Sequence, residues 1–208
     1  MAGQSQSIGF TLLRDGGVFL LRLVSEDGMN RLTRQRVVGL DEEMRNIVSG
    51  QASALPLVIS GERNFSAGAD LNEIRNLSGP EALEFARLGQ SLMDAIESYP
   101  APVIAAIEGH CMGGGLDLAL ACHRRIASPH SVLGHRGAAL GLITGWGGTQ
   151  RLPRLIGKER ALELLVAAEK ITAARALQIG LVDAIADDPV ASALWRFAGS
   201  SRGRNEGP

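Results

Sequence analysis

Aromatic residues are scarce in this chain: two tryptophans, one tyrosine and five phenylalanines make up 4% of its 208 positions. A core with so few rings is built from aliphatic side chains and close backbone contacts, and 26 glycines fit that picture. Charge of one sign is also lacking. Lys plus Arg number 21 against 22 Asp plus Glu, a formal net charge of −1, and no Lys/Arg-rich block stands out. A nucleic-acid partner is therefore not indicated. No apolar run reaches membrane-spanning length, and Met1–Ser7 is polar without a signal-peptide core, so the expectation is a cytoplasmic protein with no membrane partner. The two cysteines, Cys111 and Cys122, lie in one apolar stretch. They read as reduced core residues rather than a disulfide or a metal pair, and no metal site is expected. The run Gly113-Gly114-Gly115 lacks the G-x-G-x-x-G spacing and no P-loop lysine follows, which argues against a Rossmann-type or P-loop nucleotide site.

The pattern of what is present is that of one α/β domain. Ile8–Arg14 and Val18–Val24 flank Asp15-Gly16-Gly17 and predict a hairpin. Thr33 is placed to cap a helix running to about Ser49, and Pro80 opens a second to about Tyr99. Short apolar runs at Leu55–Ser60 and Val103–Ile107 predict buried strands, with further strands at Arg125–Ala127 and Leu181–Ile185. Gly113–Gly115 leads into a helix through Ala121. Lys158–Ala168 and Ala173–Ile179 read as amphipathic helices, Asp188–Phe197 as a last helix and Gly134–Gly148 as a glycine-rich loop. The core is expected over residues 1–198, with 199–208 a polar, disordered tail.

Two segments share one design: an apolar strand, a turn of small residues, then a helix. The first runs through Phe65-Ser66-Ala67-Gly68-Ala69-Asp70-Leu71, the second through Gly109-His110-Cys111-Met112-Gly113-Gly114-Gly115. Small residues let a ligand reach the main chain, and unpaired N–H groups at a helix start favour negative charge. Two such groups converging on one carbonyl oxygen form an oxyanion hole. The plainer reading is that these glycines only permit tight packing.

Four ordered motifs resemble the signatures of the enoyl-CoA hydratase/isomerase (crotonase) family. They are Phe65–Leu71, Glu108–Leu118, Gly145–Leu152, and Ile171–Ala176 followed by Gly180-Leu181-Val182. The resemblance implies a crotonase-like (ClpP/crotonase) α/β fold, with repeated ββα units and a twisted sheet packed by helices. It implies an acyl-CoA thioester as partner, with coenzyme A arriving as part of the substrate and no separate cofactor. It further implies a place in fatty acid metabolism and a homo-oligomer, a trimer or dimer of trimers. Carried over residue by residue, the oxyanion donors fall on the N–H groups of Ala67 and Gly114. Substrate contacts fall on Ser66, Ala67, Gly68, Ala69, Asp70, Leu71, His110, Gly113, Gly114 and Gly137. Asp70 reads as a helix cap rather than a catalytic acid. The loop Glu26–Leu32 departs from the Asn-Arg-Pro pattern usual where the family places further CoA contacts.

The catalytic carboxylates are where this chain departs from the family. The first aligns with Asp117, one turn past Gly114, which reads either as a proton carrier or as a first-turn acid favouring the helix dipole. The second aligns with Gly137, which has no side chain. A further acid used by some members falls near Thr144 or Gly145, neither of them acidic. His135 and Arg136 stand two and one residues before Gly137 and read either as site residues, acid/base and carboxylate-binding respectively, or as loop or subunit-interface residues. His110 reads as a packed turn residue or a further acid/base. The chain also lacks most of the family's C-terminal helical region, an expectation that leaves a more open acyl pocket or one covered by a neighbouring subunit. Three functions fit: a lyase or isomerase acting through a thioester enolate (hydration/dehydration or double-bond isomerisation), a decarboxylase or hydrolase of the same superfamily, or a non-catalytic CoA-binding or assembly protein.

Overall fold

The computed structural model describes residues 4–7, 9–50 and 55–202, with side chains described for 9–50 and 55–197. Four apolar runs set the framework. Strands β2 (Phe10–Asp15) and β3 (Val18–Leu23) form the predicted hairpin about Gly16, whose φ of +57° suits glycine. β4 (Leu57–Gly61), β5 (Val103–Ile107) and β7 (Arg124–Ala127) then add to β3 in parallel. β1 (Gln4–Ser7), read from sequence only as a polar end, pairs antiparallel with β2, and β10 (Ala184–Ile185) closes the far edge. The order of the seven-stranded sheet is β1-β2-β3-β4-β5-β7-β10.

Alternation along the inner strands divides two cores. Leu57, Ile59, Val103 and Ala105 face α1 (Arg34–Ser49), α3 (Gly79–Glu97) and α4 (Gly114–Ala121), meeting Leu40, Met44, Leu92, Met93 and Leu118. Val58, Ile104 and Ala106 face the opposite way, against Ala193 of α8 (Pro189–Arg202). With both faces covered, the inner strands read as continuous apolar runs. Thr33 caps α1 as predicted, its Oγ1 accepting from Arg36 N at 3.2 Å. Ser78 and Glu81 form a capping box on α3, with Ser78 N donating to Glu81 Oε2 at 2.8 Å.

A second sheet, β6 (His110–Met112), β8 (Val132–Gly134) and β9 (Ile171–Thr172), in the order β6-β8-β9, has no counterpart in the sequence reading. Its strands are two or three residues long, too short for an alternation signal. The short helix α2 (Leu71–Ile74) follows the first small-residue turn as expected, with Asp70 as its N-cap, whereas α5 (Gly148–Ile156) was not foreseen. A 3₁₀ turn, Ala138–Leu140, interrupts the glycine-rich loop. α6 (Lys158–Ala167) and α7 (Ala173–Gln178) stand where amphipathic periodicity placed them. α8 continues to Arg202, so residues 199–202 of the expected tail are helical, and 203–208 lie outside the described residues. Among the described residues no helix is long and apolar enough to cross a membrane.

Candidate active site

The first turn follows β4. Phe65 is fully buried, and Ser66 joins β6 through Ser66 N to His110 O (3.0 Å) and Met112 N to Ser66 O (2.9 Å). The Ser66 hydroxyl donates to Asn30 O (2.8 Å) and accepts from Gly68 N (3.0 Å), so this buried side chain braces the turn. Asn30, at a φ of +49° and fully buried, ties the same region down by donating to Glu62 O and Asn64 O (3.1 and 2.6 Å). The Ala67 N–H donates to Met29 O at 2.8 Å. This corrects the expectation that Ala67 is an oxyanion donor, because its amide is already satisfied within the protein.

Two residues on, the position changes character. Among the described residues, no acceptor takes the Ala69 N–H. Gly68 has φ +91°, and a Cβ there would lie 2.6 Å from Met112 O and 3.0 Å from Gly114 N. Only glycine lets the two turns touch, and that contact brings the free amide of Ala69 beside the second turn. Asp70 is the N-cap of α2, its Oδ1 accepting from Asn72 N (2.7 Å) and Glu73 N (3.4 Å), and Leu71 is exposed.

In the second turn Gly113 adopts φ 50°, ψ −120°, donates to Gly134 O (2.9 Å) and accepts from Leu116 and Asp117 N–H. Gly114 is the first residue of α4, and its N–H likewise has no acceptor among the described residues. Gly115 through Ala121 are all buried, so α4 has no solvent face and Asp117 is forced inward. The indole of Trp146 lies against the turn: a Cβ at Gly114 would stand 2.4 Å from its Cζ3, and one at Gly89 of α3 2.1 Å from its Nε1. Phe85 meets the same ring edge-on at 5.3 Å.

Asp117 is 2% exposed. The Thr144 hydroxyl donates to its Oδ2 in a short hydrogen bond. His135, also buried, places Nε2 3.2 Å from Oδ1. That is ion-pair distance, yet neither atom makes an aligned hydrogen bond among the described residues. Gly148 closes the cluster: a Cβ there would be 2.2 Å from Asp117 Oδ1 and 2.9 Å from His135 Nε2. Arg136 does not join its neighbour and is exposed. Gly137 cannot stand in for a carboxylate. Its carbonyl accepts from Leu140 N (2.8 Å) and Leu142 N (2.9 Å), and a Cβ would sit 2.8 Å from Leu142 O. His110 stays half-buried in β6, with its Nδ1 enclosed and unpartnered among the described residues.

A family model for enoyl-CoA hydratase/isomerase matches residues 14–196. The chain belongs to that family. It is 50% identical over 139 residues to a probable enoyl-CoA hydratase of Bacillus subtilis (strain 168), a match covering 66% of this chain and 54% of that protein. The chain thus spans about half the length of this curated relative. Among solved structures it resembles DspI of Pseudomonas aeruginosa (33% identity, TM-score 0.88, 94% of this chain and 81% of that one). It also resembles enoyl-CoA hydratase from Bacillus anthracis (32% identity, TM-score 0.87, 92% and 76%). These enoyl-CoA hydratase family likenesses bear out the crotonase-like α/β fold expected from the four motifs.

Sequence reasoning missed Met29 and Asn30, which engage and brace the first turn, and Trp146 and Gly148, which wall the second. The contacts of Met29 and Asn30 join residues more than thirty positions apart, and no local pattern encodes them.

Proposed function

We propose that this protein binds an acyl-CoA thioester and stabilises its enolate through the N–H groups of Ala69 and Gly114, with Asp117 carrying the proton. The observation that carries this reading is the pair of amides without acceptors among the described residues, on two turns that touch at Gly68. Elsewhere such orphaned donors would be satisfied by the protein itself. Aimed at a thioester oxygen, each amide is worth about 2.7–4 kcal/mol to a transition state in which that oxygen becomes negative. Asp117 lies three residues into the helix that Gly114 opens, so its side chain stacks toward the donor end. The reaction class is hydration/dehydration or double-bond isomerisation of an enoyl thioester. Assembly into a trimer or dimer of trimers belongs with this reading. Leu140, Ile143, Leu162 and Val166 are exposed on the 137–145 loop and the neighbouring α6, which supports it.

A second reading is favoured by one observation. Position 137 is a closed backbone turn, so a reaction needing only the oxyanion hole, such as decarboxylation of a malonyl-type thioester, also fits. Incubation with crotonyl-CoA, but-3-enoyl-CoA and methylmalonyl-CoA, followed by mass spectrometry, separates the two. Conversion of an enoyl thioester, reduced about 10²–10⁴-fold in Asp117→Asn, is expected. Carbon dioxide release from methylmalonyl-CoA alone would transfer the assignment to the second reading. Binding without turnover of any of the three would make the protein a non-catalytic CoA binder.

A further inference from the structure

The family's second carboxylate position is closed here, so the question is where the proton held by Asp117 goes. Asp117 Oδ1 and His135 Nε2 face each other at 3.2 Å, both buried, and neither makes an aligned hydrogen bond to any of the described residues. Two lone pairs held that close in a dry site would repel, and two unsatisfied polar atoms there are each costly. One proton between them removes both penalties. The other carboxylate oxygen is fixed by the Thr144 hydroxyl, so Oδ1 is the oxygen left to exchange a proton. The first turns of α4, which carries Asp117, and of α5, which Gly148 opens against Oδ1, place the positive ends of two helices around this carboxylate. His135 opens the loop after β8, whose next residues Arg136, Ala138 and Ala139 are exposed.

From this geometry we infer that Asp117 and His135 act as one proton-holding pair, His135 relaying the proton between Asp117 and solvent and Thr144 positioning the carboxylate. The inference rests on the enolate reading above. In the step it describes, the Asp117 carboxylate takes a proton from the carbon beside the thioester as that C–H bond breaks. The bonding electrons move into the enolate, whose oxygen is held by the Ala69 and Gly114 amides. The proton on Asp117 exchanges through His135 with water, and a proton returns to carbon; nothing is oxidised or reduced. Among the described residues, the Cys111 thiol of β6 also feels the Asp117 charge; burial above all holds that thiol well above the ordinary thiol range and therefore neutral. Gly137 contributes nothing to the pair, because its backbone turn leaves no room for a side chain.

The test uses the full chain and but-3-enoyl-CoA in deuterium oxide, with deuterium incorporation at carbon read by mass spectrometry against pH. The wild-type protein is expected to incorporate deuterium. His135→Gln is expected to slow this at least about 10-fold and remove one limb of the pH profile. Thr144→Val is expected to slow it and Thr144→Ser to restore it, a rescue that packing of the Thr144 methyl alone would not give. Full incorporation with an unchanged profile in His135→Gln would overturn the pair while leaving the enolate reading intact. Absence of incorporation by wild-type protein that binds the thioester would overturn both. Should His135→Gln fail to fold, nuclear magnetic resonance of the wild-type protein decides. A slowly exchanging, strongly downfield His135 Nε2–H signal that disappears in Asp117→Asn supports the pair, and its absence from the wild-type spectrum rejects it.

Discussion

Burial pushes the Cys122 thiol from an ordinary 9.0 up to about 12, with the buried Arg125 only partly offsetting it. The folded state therefore holds this proton more tightly than the unfolded chain does. The stability linked to that proton is fully present below pH 9 and is lost as pH rises toward 12. Melting temperatures of wild-type protein and Cys122→Ala, measured from pH 8 to 11, are expected to converge as pH rises; a constant gap would show that the thiol is not linked to folding. Residue types alone placed both cysteines correctly as buried, free thiols. They were less informative about amides. Ala67 and Ala69 are the same residue type in one turn, and what separates them is the carbonyl of Met29, which reaches Ala67 alone. Asp117 and His135 were legible as candidates, but their approach to 3.2 Å was not, since they come from α4 and from the loop after β8.

The elements that position the site approach one another closely at glycines. Gly89 of α3 and Gly114 of α4 form the walls around the Trp146 indole, each close enough that a Cβ would intrude. Gly89→Ala is expected to displace the indole and destabilise the protein by about 1–3 kcal/mol, measured by urea denaturation. An unchanged midpoint would mean that the ring moves freely. Helices with a strong cap or a regular apolar stripe, such as α1 and α3, were legible before the structure. The strands β6, β8 and β9 were not, because two or three residues in a two-sided contact carry no period and their pairing is decided by the turns they join. α5 was hidden for a different reason: its opening residues, Gly147 and Gly148, read as loop, and Pro153 sits within it.

At the scale of the molecule, the sheet's last strand is fastened by charge as well as by pairing. Arg125, 4% exposed, donates through Nε to Leu181 O and through Nη1 to Cys122 O, both at 2.8 Å, and pairs with Asp183 at 3.2 Å. Arg124 reaches the other oxygen of Asp183 at 2.7 Å. Removing the carboxylate leaves a buried guanidinium without its counter-charge, so Asp183→Ala is expected to lower stability by about 2 kcal/mol or more. A loss below about 0.5 kcal/mol, the level of an exposed pair, would contradict this account of the edge. The whole-chain architecture was the most legible level, because alternating apolar runs and four ordered motifs constrain it jointly. The packing of α8 on the sheet face formed by Val58, Ile104 and Ala106 was not.

The most direct measurement is the carbonyl stretch of a carbon-13-labelled crotonyl thioester bound to the protein, by difference infrared spectroscopy, with the Ala69 amide replaced by an ester in a second sample. Two amides on the thioester oxygen predict a shift to lower frequency on binding, weakened by the ester at 69 and unaffected by an ester at 67. A bound thioester whose stretch stays at its solution value, or one that responds to position 67 and not to 69, would contradict the account.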